Sequence, residues 1–176
     1  MFLYFLRHAS AGERLSNSKK DEKRGLDKEG IEQSGYVGRA LGVLGVHVDV
    51  IVSSPLKRSA QTAALVGNEM GHEGKLVLEA ALRPEASFAD FQKMLQKYAR
   101  QDGVLLVGHN PNLREFLGRV ISDSGCEATI ELKKGAVAKV EIRRSSGSLS
   151  WCVTPRILRA LHTAAMESSR PKTSRK

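Results

Sequence analysis

FLYFLRH, residues 2–8, is an apolar run of five residues that passes directly into an arginine and a histidine. A short, unbroken apolar run of this kind reads as a strand buried on both faces, as in parallel sheets. Two further stretches repeat the arrangement. DVIVS (49–53) leads into Ser54-Pro55-Leu56-Lys57-Arg58, and GVLLV (103–107) leads into Gly108-His109-Asn110. Ligand sites of open α/β sheets lie beyond the carboxyl ends of the strands, where segments distant in sequence converge. The expected fold is therefore α/β, a three-layer sandwich with a mostly parallel central sheet flanked by helices. Two guanidiniums and two imidazoles are expected at one end of that sheet.

The rest of the chain fits this order. Residues 9–27 lack hydrophobic periodicity and read as a long polar loop, of the functional kind or disordered. Asp27 is a predicted N-cap, with Ile31, Val37, Leu41 and Leu44 on the apolar face of the following helix. Pro55 suits the first turn of a second helix, with Leu56, Ala60, Ala63, Ala64 and Gly67 on its narrow packing face. KLVLEA (75–80) is a shorter strand. Ser87 caps a helix carrying Phe88, Phe91, Leu95 and Tyr98, and the helix after GVLLVG packs Leu113, Phe116, Leu117, Val120 and Ile121. GAVAKVEI and SLSWCV form a hairpin through RRSSG, adding antiparallel strands at one side. Pro155 starts a last helix to about Met166. The domain reading is a single domain over 1–166 and a basic, disordered tail over 167–176.

Composition narrows the function. At 176 residues, with 41% hydrophobic and 27% charged residues, the chain is long enough for one sizeable core. The net charge of +9 invites a nucleic-acid reading, but residues 156–176 alone hold six Arg or Lys against Glu167. More than half the excess is thus at one end, and no aromatic-interleaved basic stripe is present, so no nucleic-acid partner is expected. No stretch reaches membrane-spanning length and no secretory signal is expected, so neither is a membrane partner. Cys126 and Cys152 have no metal-ligand spacing and read as inert small hydrophobes, which with the missing signal suggests a reduced, cytoplasmic setting. His47 and His72 in turns and His162 on the last helix show no ligand spacing. Trp151 reads as packing, and no metal or cofactor is expected.

The strand-end residues carry the chemistry. A neutral imidazole attacks phosphorus and forms a labile phosphoramidate that water can cleave. Arg7 and Arg58 would keep the His8 imidazole unprotonated and hold the phosphoryl oxygens as charge spreads over them. His109 would complete a cationic cage, and the Asn110 N–H, at the start of the next helix, would add an anion donor. Taken singly, each residue reads better as a surface histidine or an exposed helix arginine. Their joint arrival at strand ends favours one anion site.

LRHAS (6–10), SSPLKRSAQT (53–62) and VGHN (107–110) resemble the signature segments of the histidine phosphatase superfamily, which includes the phosphoglycerate mutases. The resemblance implies a phosphoglycerate mutase-like fold and the catalytic residues Arg7, His8, Arg58 and His109. Ala9 stands where many members have glycine. The compact length, KRGLDKEG (23–30), LRPEAS (82–87) and the GAVAKVEI…WCVTP ending are similar to SixA-type protein-phosphohistidine phosphatases. That similarity suggests Arg24 as a substrate contact, although the chain reads Arg24-Gly25-Leu26-Asp27 where SixA-like proteins often have Arg-Pro-Leu-Thr. Mutases and many phosphomonoesterases of the superfamily place a proton-donating carboxylate mid-chain. Glu85 is the nearest candidate, with Glu79 and Asp90 behind it, against a reading of Glu85 as a solvated loop residue.

The expected function is a cofactor-independent phosphatase that acts on phosphohistidine of a phosphorelay-type protein domain. The alternatives are a small-molecule phosphomonoesterase and a non-catalytic phosphate- or phosphoprotein-binding module.

Overall fold

The computed structural model describes residues 1–122, 128–143 and 146–168, the last four of these as backbone only. Cys126, the centre of the RRSSG turn and most of the basic tail lie outside the described residues. Six strands form one sheet in the order β3-β2-β4-β1-β5-β6. They are β1 (Phe2–Arg7), β2 (Val50–Ser53), β3 (Lys75–Leu78), β4 (Gly103–Gly108), β5 (Val137–Arg143) and β6 (Ser146–Val153). β3, β2, β4 and β1 run parallel. β5 is antiparallel to β1, and β6 to β5. The expected sandwich and its antiparallel side are therefore present.

Side chains alternate across the pleat and divide the core in two. Leu3, Phe5, Val52, Val104 and Leu106 pack on one face against Phe91 and Met94 of α4 (Phe88–Lys97) and Leu113, Phe116 and Leu117 of α5 (Asn112–Ile121). Tyr4, Leu6, Ile51, Leu105 and Val107 pack on the other. There they meet Val37 and Leu41 of α2 (Lys28–Val43), Ala63 and Val66 of α3 (Lys57–Glu69) and Leu158 of α6 (Pro155–Ser168). Trp151 leans on Tyr4 as hairpin packing, with ring centroids 6.1 Å apart. Cys152 is half-buried.

Four local expectations are corrected. The polar stretch 9–27 is not all loop: α1 (Ser18–Glu22) forms within it, capped by the Asn17 side chain. Ile31 and Leu44 are more than half exposed, because the buried stripe of α2 runs through Gly30, Ser34, Val37, Gly38 and Leu41 instead. Ala64 is exposed on α3, where polar Ser59 and Thr62 are buried in its place. α5 begins at Asn112, so Asn110 precedes the helix by two residues. Small residues explain the α2 misreading. A Cβ on Gly38 would lie 2.8 Å from the Val66 carbonyl oxygen, and one on Gly30 only 1.9 Å from that of Ser10. The helix is held by close backbone approach, which hydrophobic periodicity does not register.

Candidate active site

Strand register brings the three signature segments level. Arg7 of β1 lies beside Gly108 of β4, and Ser53 of β2 beside Val107. Hydrogen bonds continue the pairing past the strand ends, from His8 N–H to the Gly108 carbonyl (3.0 Å) and from Ser54 N–H to that of Val107 (2.9 Å). The His8 and His109 rings consequently meet, centroid to centroid, at 4.9 Å. A cleft of about 460 Å³ opens there, lined by Arg7, His8, Arg24, Arg58, Glu85, His109 and Asn110, among others. All seven residues singled out in the sequence thus reach one cavity, whereas Glu79 and Asp90 do not. Glu79 pairs with Lys97, and Asp90 closes the capping box of α4 with Ser87.

Local chemistry fixes His8. Its Nδ1 stands 2.8 Å from the Ala9 carbonyl oxygen. A carbonyl only accepts, so Nδ1 carries the hydrogen and Nε2 is left with its lone pair. The ring is 7% exposed. Burial above all, then the charges of Arg58, Arg7 and Arg24, lower its pKa from 6.5 to about 3. His109, 3% exposed, accepts or donates through Nε2 to the Ser54 hydroxyl at 2.9 Å. Burial and then His8, Arg58 and two further arginines lower its pKa to about 2. Both imidazoles are therefore neutral near pH 7.

The guanidiniums are anchored from behind. Arg7 donates to the Leu132 carbonyl at 2.9 Å. Arg58, on the first turn of α3, donates through Nη1 to the Asp21 carbonyl (3.0 Å) and carboxylate (3.3 Å). The Nε of Arg7, the Nε of Arg58 and the Nδ1 of His109 are buried without a hydrogen-bond partner. The two guanidinium N–H groups are unpaired buried donors, which are costly, and an anion in the cleft is the natural partner for them, joined by His109 Nδ1 in the tautomer whose Nε2 accepts from Ser54. Asn110 differs: its amide donates to the Leu132 carbonyl at 3.0 Å, leaving Oδ1 as a buried, unpaired acceptor. An acceptor suits an N–H group or water rather than a phosphate oxygen.

Arg24 lines the cleft, but its side chain is engaged in building the wall. It donates through Nε to Asp21 at 2.8 Å and through Nη1 to the Ala11 carbonyl at 2.5 Å. Glu85 is ion-paired to Arg83, which lowers its pKa, and its side chain is 64% exposed.

Sequence reasoning missed Asp21, Thr62 and Arg83 of this site, and read Ser54 as a strand-end hydroxyl with a structural role. Asp21 gathers Arg58, Arg24 and the Leu15 N–H around one carboxylate. Thr62 accepts from the Ala9 N–H and donates to the Arg58 carbonyl, tying the His8 loop to α3. Ser54 orients His109, and Arg83 joins Glu22 of α1 to Glu85. The spacing Asp21-x-x-Arg24 was the one available signal, since residues three apart pair on a helix turn.

Known proteins share this architecture. The tungstate complex of the protein histidine phosphatase SixA superposes with a TM-score of 0.80 over 90% of this chain and 99% of that one, at 22% identity. By sequence, an uncharacterized protein of Picosynechococcus sp. is 34% identical over 119 residues, covering 66% of this chain and 70% of that protein. The mitochondrial serine/threonine-protein phosphatase Pgam5 of Drosophila persimilis is 28% identical over 148 residues, or 68% of this chain. The chain spans about half the length of that relative, 50%. The model of the histidine phosphatase superfamily, branch 1, matches residues 3–103, which hold β1, His8 and Arg58. The chain belongs to the histidine phosphatase superfamily.

Proposed function

We propose that this protein is a phosphatase that works through a phosphohistidine at His8 and removes the phosphoryl group from phosphohistidine on a partner protein domain. The observation that carries the reading is the neutral His8 ring, held with its Nε2 lone pair free beside Arg7 and Arg58. Nε2 attacks phosphorus. The P–N bond of the substrate breaks, and its electron pair stays on the substrate imidazole, which leaves neutral if its other nitrogen is protonated. Arg7, Arg58 and His109 hold the equatorial oxygens as their charge redistributes. Water then forms a P–O bond, the P–N bond to His8 breaks, the pair returns to Nε2, and the proton passes to solvent with release of orthophosphate.

The carboxylates of the cleft favour a phosphoramidate over an alkyl ester. An alkoxide needs a proton in the transition state, whereas imidazole does not. Asp21, Glu22 and Glu85 line the cleft, and each is paired with an arginine. His8 itself carries the phosphoryl group, so the proposed reaction uses no cofactor. Its proposed setting is a cytoplasmic phosphorelay. A small phosphate ester is the second reading, favoured by the size of the cleft.

Labelling decides between them. The protein and its His8→Ala variant are incubated with a phosphohistidine-bearing domain and with p-nitrophenyl phosphate. Acid-labile, base-stable label on His8 with phosphate release from the domain is the expected result. Faster turnover of the ester supports the second reading. Phosphate binding without turnover of either substrate overturns both and leaves a binding module.

A further inference from the structure

We propose that Arg83 decides which leaving groups this site accepts, by engaging Glu85 as an ion-pair partner so that the carboxyl cannot donate a proton. The inference rests on the reading of His8 as nucleophile and concerns the opposite end of the breaking bond.

Among the described residues three carboxylates line the cleft, and they are not held alike. Asp21 is buried and accepts from Arg58, Arg24 and the Leu15 N–H, so no single change would free it. Glu22 and Glu85 are at the rim and share one guanidinium. Arg83 donates through Nη2 to Glu22 at 2.5 Å and through Nε to Glu85. One guanidinium therefore pairs with both rim carboxylates and offsets half of their combined charge. Without it, two negative charges would stand close together at the mouth of a cleft, and like charges in proximity favour protonation of one of them. The protonated member is the kind of group that an alkoxide leaving group requires.

The surroundings of Glu85 are consistent with that outcome. Glu22 comes from α1, Arg58 from α3 and His109 from the end of β4, while Asp90 and Lys93 of α4 flank its outer side. Among these, Arg83 is the cation within ion-pair distance of Glu85 among the described residues. Arg83 itself is partly exposed and its pairs are at the surface, where such contacts add little to stability. Its loss is therefore expected to alter chemistry more than folding.

The test compares the parent protein, Arg83→Met, Arg83→Lys and the double variant Arg83→Met/Glu85→Gln. The substrates are glycerol 2-phosphate, whose alkoxide needs a proton, p-nitrophenyl phosphate, whose phenolate does not, and a phosphohistidine-bearing domain. Positioned general acids contribute about 10²–10⁴-fold. The ratio of alkyl to aryl kcat/KM is expected to rise at least about tenfold in Arg83→Met, with a new decline toward alkaline pH. The double variant should lose both the rise and the decline, and Arg83→Lys should restore the parental ratio. An alkyl-to-aryl ratio that stays within about twofold of the parent overturns the proposal. So does a rise that survives Glu85→Gln. Should the parent fail to turn over the aryl ester and the phosphodomain alike, the reading of His8 fails first and the role of Arg83 with it.

Discussion

Asp21 opposes two arginines that an incoming phosphoryl group would also oppose. Its carboxylate lies against Arg58 and Arg24, and both arginines lower the His8 pKa. Replacing it by asparagine keeps the shape and removes the charge. Electrostatics then favours ground-state anion binding, while Arg58 keeps the Asp21 main-chain carbonyl but loses the carboxylate charge that helps to aim it. For Asp21→Asn we expect kcat lower by about tenfold, with the inhibition constant of inorganic phosphate equal to or below that of the parent. Parallel losses in both would instead mean a collapsed site. The residues at strand ends were legible from sequence because burial of an apolar strand dictates where the next side chains emerge. Arg7, His8, Arg58 and His109 follow from that logic. Asp21, Thr62 and Arg83 do not. A polar residue in a stretch without periodicity reads the same whether it is solvated or buried against an arginine. Asn110 lines the cleft, but the helix begins only at Asn112, so its N–H is not the helix-start donor that the sequence suggested, and its side chain presents a buried acceptor instead.

Elements were legible wherever apolar patterning sets them. The six strands, the Ser87 cap and the Asp27 cap all stand where expected. α1 was not foreseen: its five residues, Ser-Lys-Lys-Asp-Glu, carry no apolar face, and it is held by Asn17 and by the burial of Asp21. The wall it belongs to docks on the first turn of α2. The Ser10 carbonyl sits where the Cβ of any residue but glycine at position 30 would be, and Ser10 also donates to Asp27 at 2.8 Å. Gly30→Ala must therefore push the loop away from the helix. Overpacking of this kind costs about 1–3 kcal/mol. Urea unfolding should show that loss, and turnover should fall with it because the same loop carries Arg24 and Asp21. Unchanged turnover in a destabilised Gly30→Ala protein would show that the loop does not govern the site.

Over the whole molecule, the two buried imidazoles set an acid limit. Unfolded histidines take up protons near 6.5, whereas His8 and His109 do so only near 3 and 2 in the fold. Between those values the unfolded chain binds more protons, so stability rises with pH up to about 6.5 and is then flat with respect to these groups. Unfolding free energies from urea titrations at pH 4.5 and 7.5 should differ by on the order of 5 kcal/mol for the two groups together. The difference should shrink in His109→Gln, and equal parental midpoints would contradict buried neutral rings. The sheet order has a temporal consequence. β1 reaches its two neighbours, β4 and β5, only across about a hundred residues and more, with Leu6 beside Val107 and Val137. Such distant pairings close slowly, since each loop must lose its freedom before any contact rewards it. His8 is synthesised before either segment that flanks its strand, and that strand has no second edge to join until residues 137–143 have emerged. Synthesis thus makes this histidine before the strands that complete its pocket, and in refolding the capacity to bind phosphate should return with the slowest phase.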